Sequence, residues 1–193
     1  VAVVPAQPRQ RAVRDQSAIE SVLLREVVRH GDAIIYNNVE TDDGQHVNIS
    51  VAEYVALDLA QDALSFSTPL YNQMLAEAVQ HIHEPGFSAQ RYFTQHPDPQ
   101  VSQVAADMVM DRHYLGGRFL VPERDGELKA RVEHLVMDLR RCILERRMSQ
   151  LQADIKACGT DDMERLTRLL QDFQQTQQLR DMLARQLGSD IVS

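Results

Sequence analysis

Residues 127–157 contain neither glycine nor proline, and this uninterrupted run constrains the fold more than any other feature of the sequence. Within it, apolar residues recur three and four positions apart, as they do along one face of a helix. These residues are Leu128, Val132, Leu135, Leu139, Cys142 and Ile143. The pattern predicts a single helix about 46 Å long.

A second apolar stripe follows after a short break. Gly159 ends the first run, the pair Asp161 and Glu164 has capping-box spacing, and the stripe continues to Gly188. Its members are Met163, Leu166, Leu169, Leu170, Phe173, Leu183 and Leu187. The short connection predicts an antiparallel helical hairpin. Polar residues at 176–178 interrupt the stripe, so we expect thin packing there and a further surface against the hairpin: its own globule, a second copy or a partner.

Shorter helical patterns occupy residues 17–113. Ser17 with Glu20, and Ser50 with Glu53, have the spacing of capping boxes, and Gly31 stands where a helix-terminating glycine is expected. The predicted helices cover 18–30, 51–63, 69–83, 88–96 and 99–113. Between the first two, β-branched residues flank an Asp-Gly turn, which favours a short β-hairpin near 33–50.

These patterns predict an all-α protein with four parts. Residues 1–16 are interpreted as a flexible linker, 17–113 as a helical globular subdomain, 114–126 as a hinge with two adjacent glycines, a proline and an Asp-Gly pair, and 127–193 as the C-terminal helical hairpin. Because the chain opens in a linker and without Met, we expect it to be a piece of a longer protein.

The charge distribution argues against direct binding of nucleic acid. The chain has 28 acidic and 20 basic side chains, and residues 1–113 alone carry 15 acidic against 7 basic ones. Nucleic-acid binding depends on clustered cations that displace counterions from phosphates. Two cysteines imply free thiols in a reducing compartment, and neither a membrane span nor a signal peptide is evident. We therefore expect a cytoplasmic protein that binds neither nucleic acid nor membrane.

The candidate metal ligands are histidines near the end of a predicted helix. His81 and His83, with His96 or His113, offer imidazoles, but positions i and i+2 of a helix point to different faces. Residues 42–44 resemble the start of a calcium loop without its later ligands. Structural roles are favoured for all of them.

Acid–base chemistry has candidates but no predicted cleft. The helical carboxylates are Glu53, Asp58, Asp62 and Glu77. A catalytic carboxylate needs surroundings that shift its pKa, and no pattern indicates them. Nucleophile elbows and glycine-rich phosphate loops do not occur in the sequence. The residues thus predict no active site, no metal and no cofactor.

Two surface features suggest contact with another protein. Four arginines, at 140, 141, 146 and 147, form either a solvated face balanced by nearby carboxylates or a docking site for an acidic partner. Ile191 and Val192 follow the terminating glycine, where a tail is normally polar. They either pack on the hairpin or are presented to a partner.

Three stretches of this sequence resemble a known family. They are SAIESVLLREVVRHGDAII at 17–35, ISVAEYVALDLAQDALSFSTPLYNQML at 49–75 and LTRLLQDFQQTQQLRDMLARQLG at 166–188. Together with the order of a helical globule before a long hairpin, they resemble the helicase-binding domain at the C-terminus of bacterial DnaG-type DNA primases, in its Bacteroidetes-like version.

The resemblance implies a non-catalytic arm of a primase, a DNA-directed RNA polymerase whose zinc and magnesium would belong to other domains. Its hairpin would dock on the N-terminal collar of the hexameric replicative helicase and couple primer synthesis to the replication fork. We expect the contacts on the last helix and tail, by position alone, since large side chains there can complete a groove. The candidate residues are Arg180, Leu183, Ala184, Leu187, Ile191 and Val192.

Two other hypotheses stay open. The N-terminal collar domain of the replicative helicase itself is similar in layout and would self-associate through its hairpin. It is expected to be followed by a linker and a nucleotide-binding domain. The third hypothesis is a helical enzyme whose site is assembled from scattered residues.

Overall fold

The structure is a computed structural model, and it describes residues 16–41, 43–110, 127–158 and 162–190. Residues 1–15 of the predicted linker, the hinge at 114–126, and the residues Asp42, His113, Gly159, Asp161, Ile191 and Val192 lie outside that description, whereas Gln16, predicted as the last linker residue, begins the first helix. The described part has seven helices and one two-stranded sheet, which confirms the predicted all-α class with a small β-hairpin. The helices are α1 (Gln16–His30), α2 (Val51–Gln61), α3 (Pro69–His81), α4 (Ala89–Thr94), α5 (Pro99–Met110), α6 (Glu127–Ala157) and α7 (Met163–Asp190).

The hairpin forms where the β-branched residues predicted it. Strands β1 (Ile34–Glu40) and β2 (His46–Ser50) pair in antiparallel register, with Tyr36 opposite Ile49 and Val39 opposite Val47. Two register shifts interrupt the ladder. Asn38, with φ of 56°, lies at the second of them, between Tyr36 and Val39. Gly44 closes the turn at φ of +71°, a conformation that favours glycine.

Helix α2 begins at the predicted capping box. The Ser50 side chain accepts from the Glu53 amide, while the Glu53 carboxylate accepts from the Ser50 backbone N–H at 2.8 Å. In α1 the other candidate, Glu20, has a different environment, because its side chain is fully buried and binds Ser67 and Gln16.

Helix α6 is continuous and lies alongside α1. An ion pair joins Arg131 to Glu26 at 2.9 Å, and Arg146 donates to Gln16. These contacts set the two helices in opposite directions. The fully buried Val132, Val136 and Leu139 of α6 belong to the same apolar core as the helices of residues 17–113. The core therefore crosses the position of the predicted hinge, and the division into two subdomains stays a prediction.

Arg140 is a structural residue. Its side chain is only 12% exposed, its Nε lies 3.1 Å from the Asp58 carboxylate, and its Nη2 lies 2.6 Å from that of Asp62. It thus ties α6 to α2, and the interpretation as part of a solvated face is wrong for this arginine. Arg141 fits that interpretation, since it pairs with Asp138 and Glu145 on its own helix.

Candidate interaction surface on the C-terminal helix pair

Helices α6 and α7 form the long C-terminal pair that the two apolar stripes predicted. Their short connection makes them antiparallel. α6 continues past Arg146, which donates to Gln16 at the start of α1, as far as Ala157. α7 packs on α6 and makes at most marginal contact with the other described helices. Among the described elements, α6 therefore supplies nearly all the packing of α7.

Few of the described α7 side chains are buried in the interface with α6. Among the α7 side chains that the structure describes, only Thr176 and Leu183 are buried, while Leu166, Leu169 and Phe173 are half-buried. Thr176 faces inward as the stripe register indicates, and its hydroxyl donates to the Asp172 carbonyl at 2.7 Å. The polar interruption is thus accommodated within α7, with no hydrogen bond to α6 needed from this hydroxyl.

Exposed apolar side chains are concentrated on α7. Eight large apolar side chains are exposed among the described residues, and four of them lie on this helix. The four are Met163, Leu170, Leu179 and Met182. Single exposed leucines are ordinary, so the informative feature is that these four residues form two pairs. Met163 and Leu170 are seven positions apart and Leu179 and Met182 three, so each pair shares a face of α7.

The predicted contact residues have different surroundings. Arg180 is about one third exposed and pairs with Asp181 at 2.7 Å, and Leu183 is buried, so it contributes to the packing of the hairpin itself. Ala184 and Leu187 lie on α7, but their side chains are outside the described part, as is the whole of 191–193. The role of all six residues in binding stays a prediction.

Sequence reasoning did not single out Leu179 and Met182. They are about half exposed and lie three positions apart on α7, beside the stripe that packs on α6. Their spacing was the available signal, since residues at i and i+3 share a helix face. They are the best-placed exposed apolar residues near the predicted site.

A groove lies beside α4. It has a volume of about 350 Å³ and is lined by the aromatic rings of Phe87 and Tyr92 and by Arg91 and His96. His96 Nδ1 accepts from the Asp98 amide at 3.1 Å, and its Nε2 lies 3.1 Å from the Glu77 carboxylate. Both ring nitrogens are engaged, so this histidine is held as a structural group.

The tyrosine in that groove is held in the same way. Burial raises the pKa of Tyr92, and the nearby Glu77 carboxylate, to which its hydroxyl donates at 3.4 Å, raises it further. A phenol with a raised pKa stays protonated at neutral pH and is a poor general base. The groove therefore has the packing of an aromatic cluster, and we assign no reaction to it.

The other candidate acid–base and metal residues are dispersed in the structure. His81 pairs with Glu84 at 2.6 Å, while His83 lies 3.1 Å from Glu53, so the two imidazoles have separate partners. Asp58 and Asp62 hold Arg140. Within the described ranges, no three His, Cys, Asp or Glu side chains converge as metal ligands would. The helices described are also too short or too polar to span a bilayer.

Comparison with known proteins identifies a family. Residues 6–192 match the model of a family described as a domain of unknown function, DUF8430. This chain belongs to that family. No curated protein and no solved structure matches the chain. Because the DUF8430 match runs through α1 to α7, the family's unit includes the C-terminal helix pair together with the globule.

Proposed function

We propose that this DUF8430 chain is a non-catalytic protein-interaction domain that binds its partner through the α6–α7 pair. The single observation that carries the proposal is the exposure of α7, which among the described elements packs chiefly on α6 and holds half of the exposed large apolar side chains of the described residues. A helix packed chiefly on one neighbour buries little area against the entropy of ordering it. A complementary apolar surface adds the missing burial.

The partner we propose is a replicative helicase, and the parent protein a DNA primase. The support for both is the resemblance of residues 17–35, 49–75 and 166–188 to the helicase-binding domain of DnaG-type primases. A helix face in an apolar groove is a common mode of protein recognition. In this role the chain localises primer synthesis to the fork and carries out no chemistry itself.

The test is a calorimetric titration of the cognate hexameric helicase with the full 193-residue chain and two variants. The double variant Leu179→Ser with Met182→Ser removes exposed apolar area from α7 and is expected to weaken binding by roughly tenfold or more. Met110→Ser is the matched control, because Met110 is also highly exposed but lies at the end of α5.

Circular dichroism establishes that each variant keeps its helices. Equal affinities for the double variant and the control would contradict docking through α7. Self-association of the chain that the double variant abolishes, with no helicase binding, would instead support the helicase-collar alternative.

A further inference from the structure

A second apolar surface lies between the β-hairpin and α2. We call it the hairpin–α2 cleft. Its volume is about 220 Å³. It is lined by Tyr36, Val39, Ile49, Tyr54, Leu57, Asp58 and Gln61. None of these residues belongs to the α6–α7 surface, so a role for the cleft is independent of the proposed function.

The walls of the cleft are fixed by contacts behind them. The rings of Tyr36 and Tyr54 lie 5.5 Å apart, and the Tyr36 hydroxyl donates to Glu133 of α6. Lys129 Nζ lies 3.8 Å from the centre of the Tyr36 ring. The ion pair of Asp58 with Arg140 holds the α2 wall against α6. A preformed cleft loses little entropy when it receives a side chain.

The elements that form the cleft expose apolar side chains. Ile34 of β1, Val47 of β2 and Leu57 of α2 account for three of the four exposed large apolar residues that the described part has outside α7. Leu57, at 55% exposure, belongs to the lining itself, and Val47 is the ladder partner of Val39, which also lines the cleft. Exposed apolar area beside a concave site is typical of a docking site.

The negative charge of the residues around the cleft favours a cationic binding partner. Residues 34–62 contain six Asp and Glu side chains and no Lys or Arg. Glu40 directly follows Val39 of the lining, and Asp62 directly follows Gln61. The two cations facing the cleft from α6, Lys129 and Arg140, are already paired with carboxylates. The field around the cleft is therefore negative and attracts cationic partners.

We propose that the hairpin–α2 cleft binds a basic segment of another protein, which inserts one aliphatic side chain and places Lys or Arg on either side of it. The volume suits one such side chain, and the flanking cations are attracted by Glu40 and by the two carboxylates, Asp58 and Asp62, that share the single charge of Arg140. Nucleic acid is repelled by the same field. A second copy of this chain would bring an identical acidic region to the contact, which disfavours a symmetric dimer here.

The experiment begins with a random peptide library displayed on phage and selected on the full chain. The proposal predicts enrichment of peptides with Lys or Arg flanking one Leu, Ile, Val or Met. No enrichment, or enrichment of neutral or acidic peptides, would overturn it. A fluorescein-labelled copy of the most enriched peptide is then used as the probe in anisotropy titrations.

Matched variants locate the binding site of that probe. Leu57→Ser is expected to weaken binding roughly tenfold, while Leu170→Ser, an exposed leucine on α7, leaves it unchanged. Glu40→Gln is expected to weaken binding at low salt, whereas Glu164→Gln, on α7, has no effect. Equal losses for both members of either pair would contradict the site. A dimer of the chain that Leu57→Ser dissociates would also contradict it.

Discussion

Glu20 is a carboxylate with no exposure to solvent, and it joins two parts of the chain that are distant in sequence. Its oxygens accept from the Ser67 amide at 2.9 Å, from the Ser67 hydroxyl at 2.7 Å and from the Gln16 side chain at 2.7 Å. A buried carboxylate is tolerated when its lone pairs are satisfied in this way. Glu20 thus anchors α1 to the segment that precedes α3.

Glu20→Ala is expected to lower the free energy of unfolding by about 2 kcal/mol, because it removes the hydrogen bonds to Ser67 and Gln16 and leaves a cavity in place of a fully buried side chain. Urea denaturation followed by circular dichroism measures this loss. The control is Glu164→Ala on α7, whose side chain is 91% exposed, with an expected change within about 0.5 kcal/mol. Similar losses in both variants would show that the Glu20 network contributes nothing specific.

Gly31 is required by close packing. It follows the last residue of α1, as the sequence predicted for a terminating glycine, but its φ lies outside the left-handed region. A Cβ there would lie 2.4 Å from the Val27 carbonyl oxygen and 3.1 Å from the Ala89 Cβ. The Gly31 carbonyl also accepts from the Ala52 amide, so the backbone has little room to move.

Gly31→Ala is expected to destabilise the protein by about 2 to 3 kcal/mol, since the added methyl group forces the backbone of α1 or α4 to shift. Gly44→Ala is the comparison, because a Cβ there meets nothing within 4 Å and the cost comes from φ of +71° alone, about 1 kcal/mol. Thermal and urea unfolding report both values. A smaller loss at Gly31 than at Gly44 would contradict the packing explanation.

At the scale of elements, the contact between α6 and α2 depends on the ion pair of Arg140 with Asp58. Burial raises the pKa of Asp58, the Arg140 charge opposes that rise, and the neighbouring Asp62 adds to it. The guanidinium thus favours the ionised form of the Asp58 carboxylate, against burial and the charge of Asp62. Removing Arg140 therefore leaves the half-buried Asp58 carboxylate without its cationic partner.

Arg140→Met is expected to cost about 3 kcal/mol at pH 7 and less at pH 4.5. In the variant the pKa of Asp58 rises further in the folded state, so the folded protein binds more protons than the unfolded chain. Its stability then falls as pH increases above the unfolded pKa of about 4. Urea unfolding at the two pH values measures the difference.

The control for this series is Arg168→Met, which removes an arginine that is 73% exposed and pairs with Glu164 on its own helix. Surface pairs of this kind contribute about 0.5 kcal/mol, with little dependence on pH in this range. A pH-independent loss in Arg140→Met would contradict the assignment of the loss to the Asp58 carboxylate.

The elements were predictable where local patterns determine them. The stripe over 127–157 predicted α6 with its observed bounds, and the Ser50–Glu53 box predicted the start of α2. The partner of Arg140 was not predictable in this way, since Asp58 lies 82 residues away in sequence. The carboxylates at 58 and 62, spaced i and i+4 without a cation on α2, were the only local signal of it. The hairpin–α2 cleft likewise depends on contacts that only the tertiary fold brings together.

At the scale of the whole molecule, the core does not end where the composition of the chain changes. Fully buried residues of α6 pack in one cluster with those of α1 and α2, so α6 belongs both to the globule and to the C-terminal pair. The glycines and proline in 114–126 were the reason for predicting a boundary there. A local pattern does not reveal that the next helix returns to the same core.

Two fragments test this shared helix. Residues 1–147 keep the part of α6 that packs in the core and are expected to unfold in one cooperative urea transition. Residues 1–126 lack it, expose the apolar faces of α1 and α2, and are expected to show no cooperative transition. If the shorter fragment unfolds as cooperatively as the longer one, the predicted boundary at 114–126 is correct.

The proposal that α7, with the chain that comes after it, binds a replicative helicase is tested most directly by calorimetric titration of the cognate helicase hexamer with the full chain and with a version that ends at Arg185. We expect micromolar or tighter binding by the full chain. We expect that binding to be lost on truncation, while the helical circular dichroism signal of the remainder is retained. Absence of binding at micromolar concentrations, or equal affinity of the two versions, would contradict it.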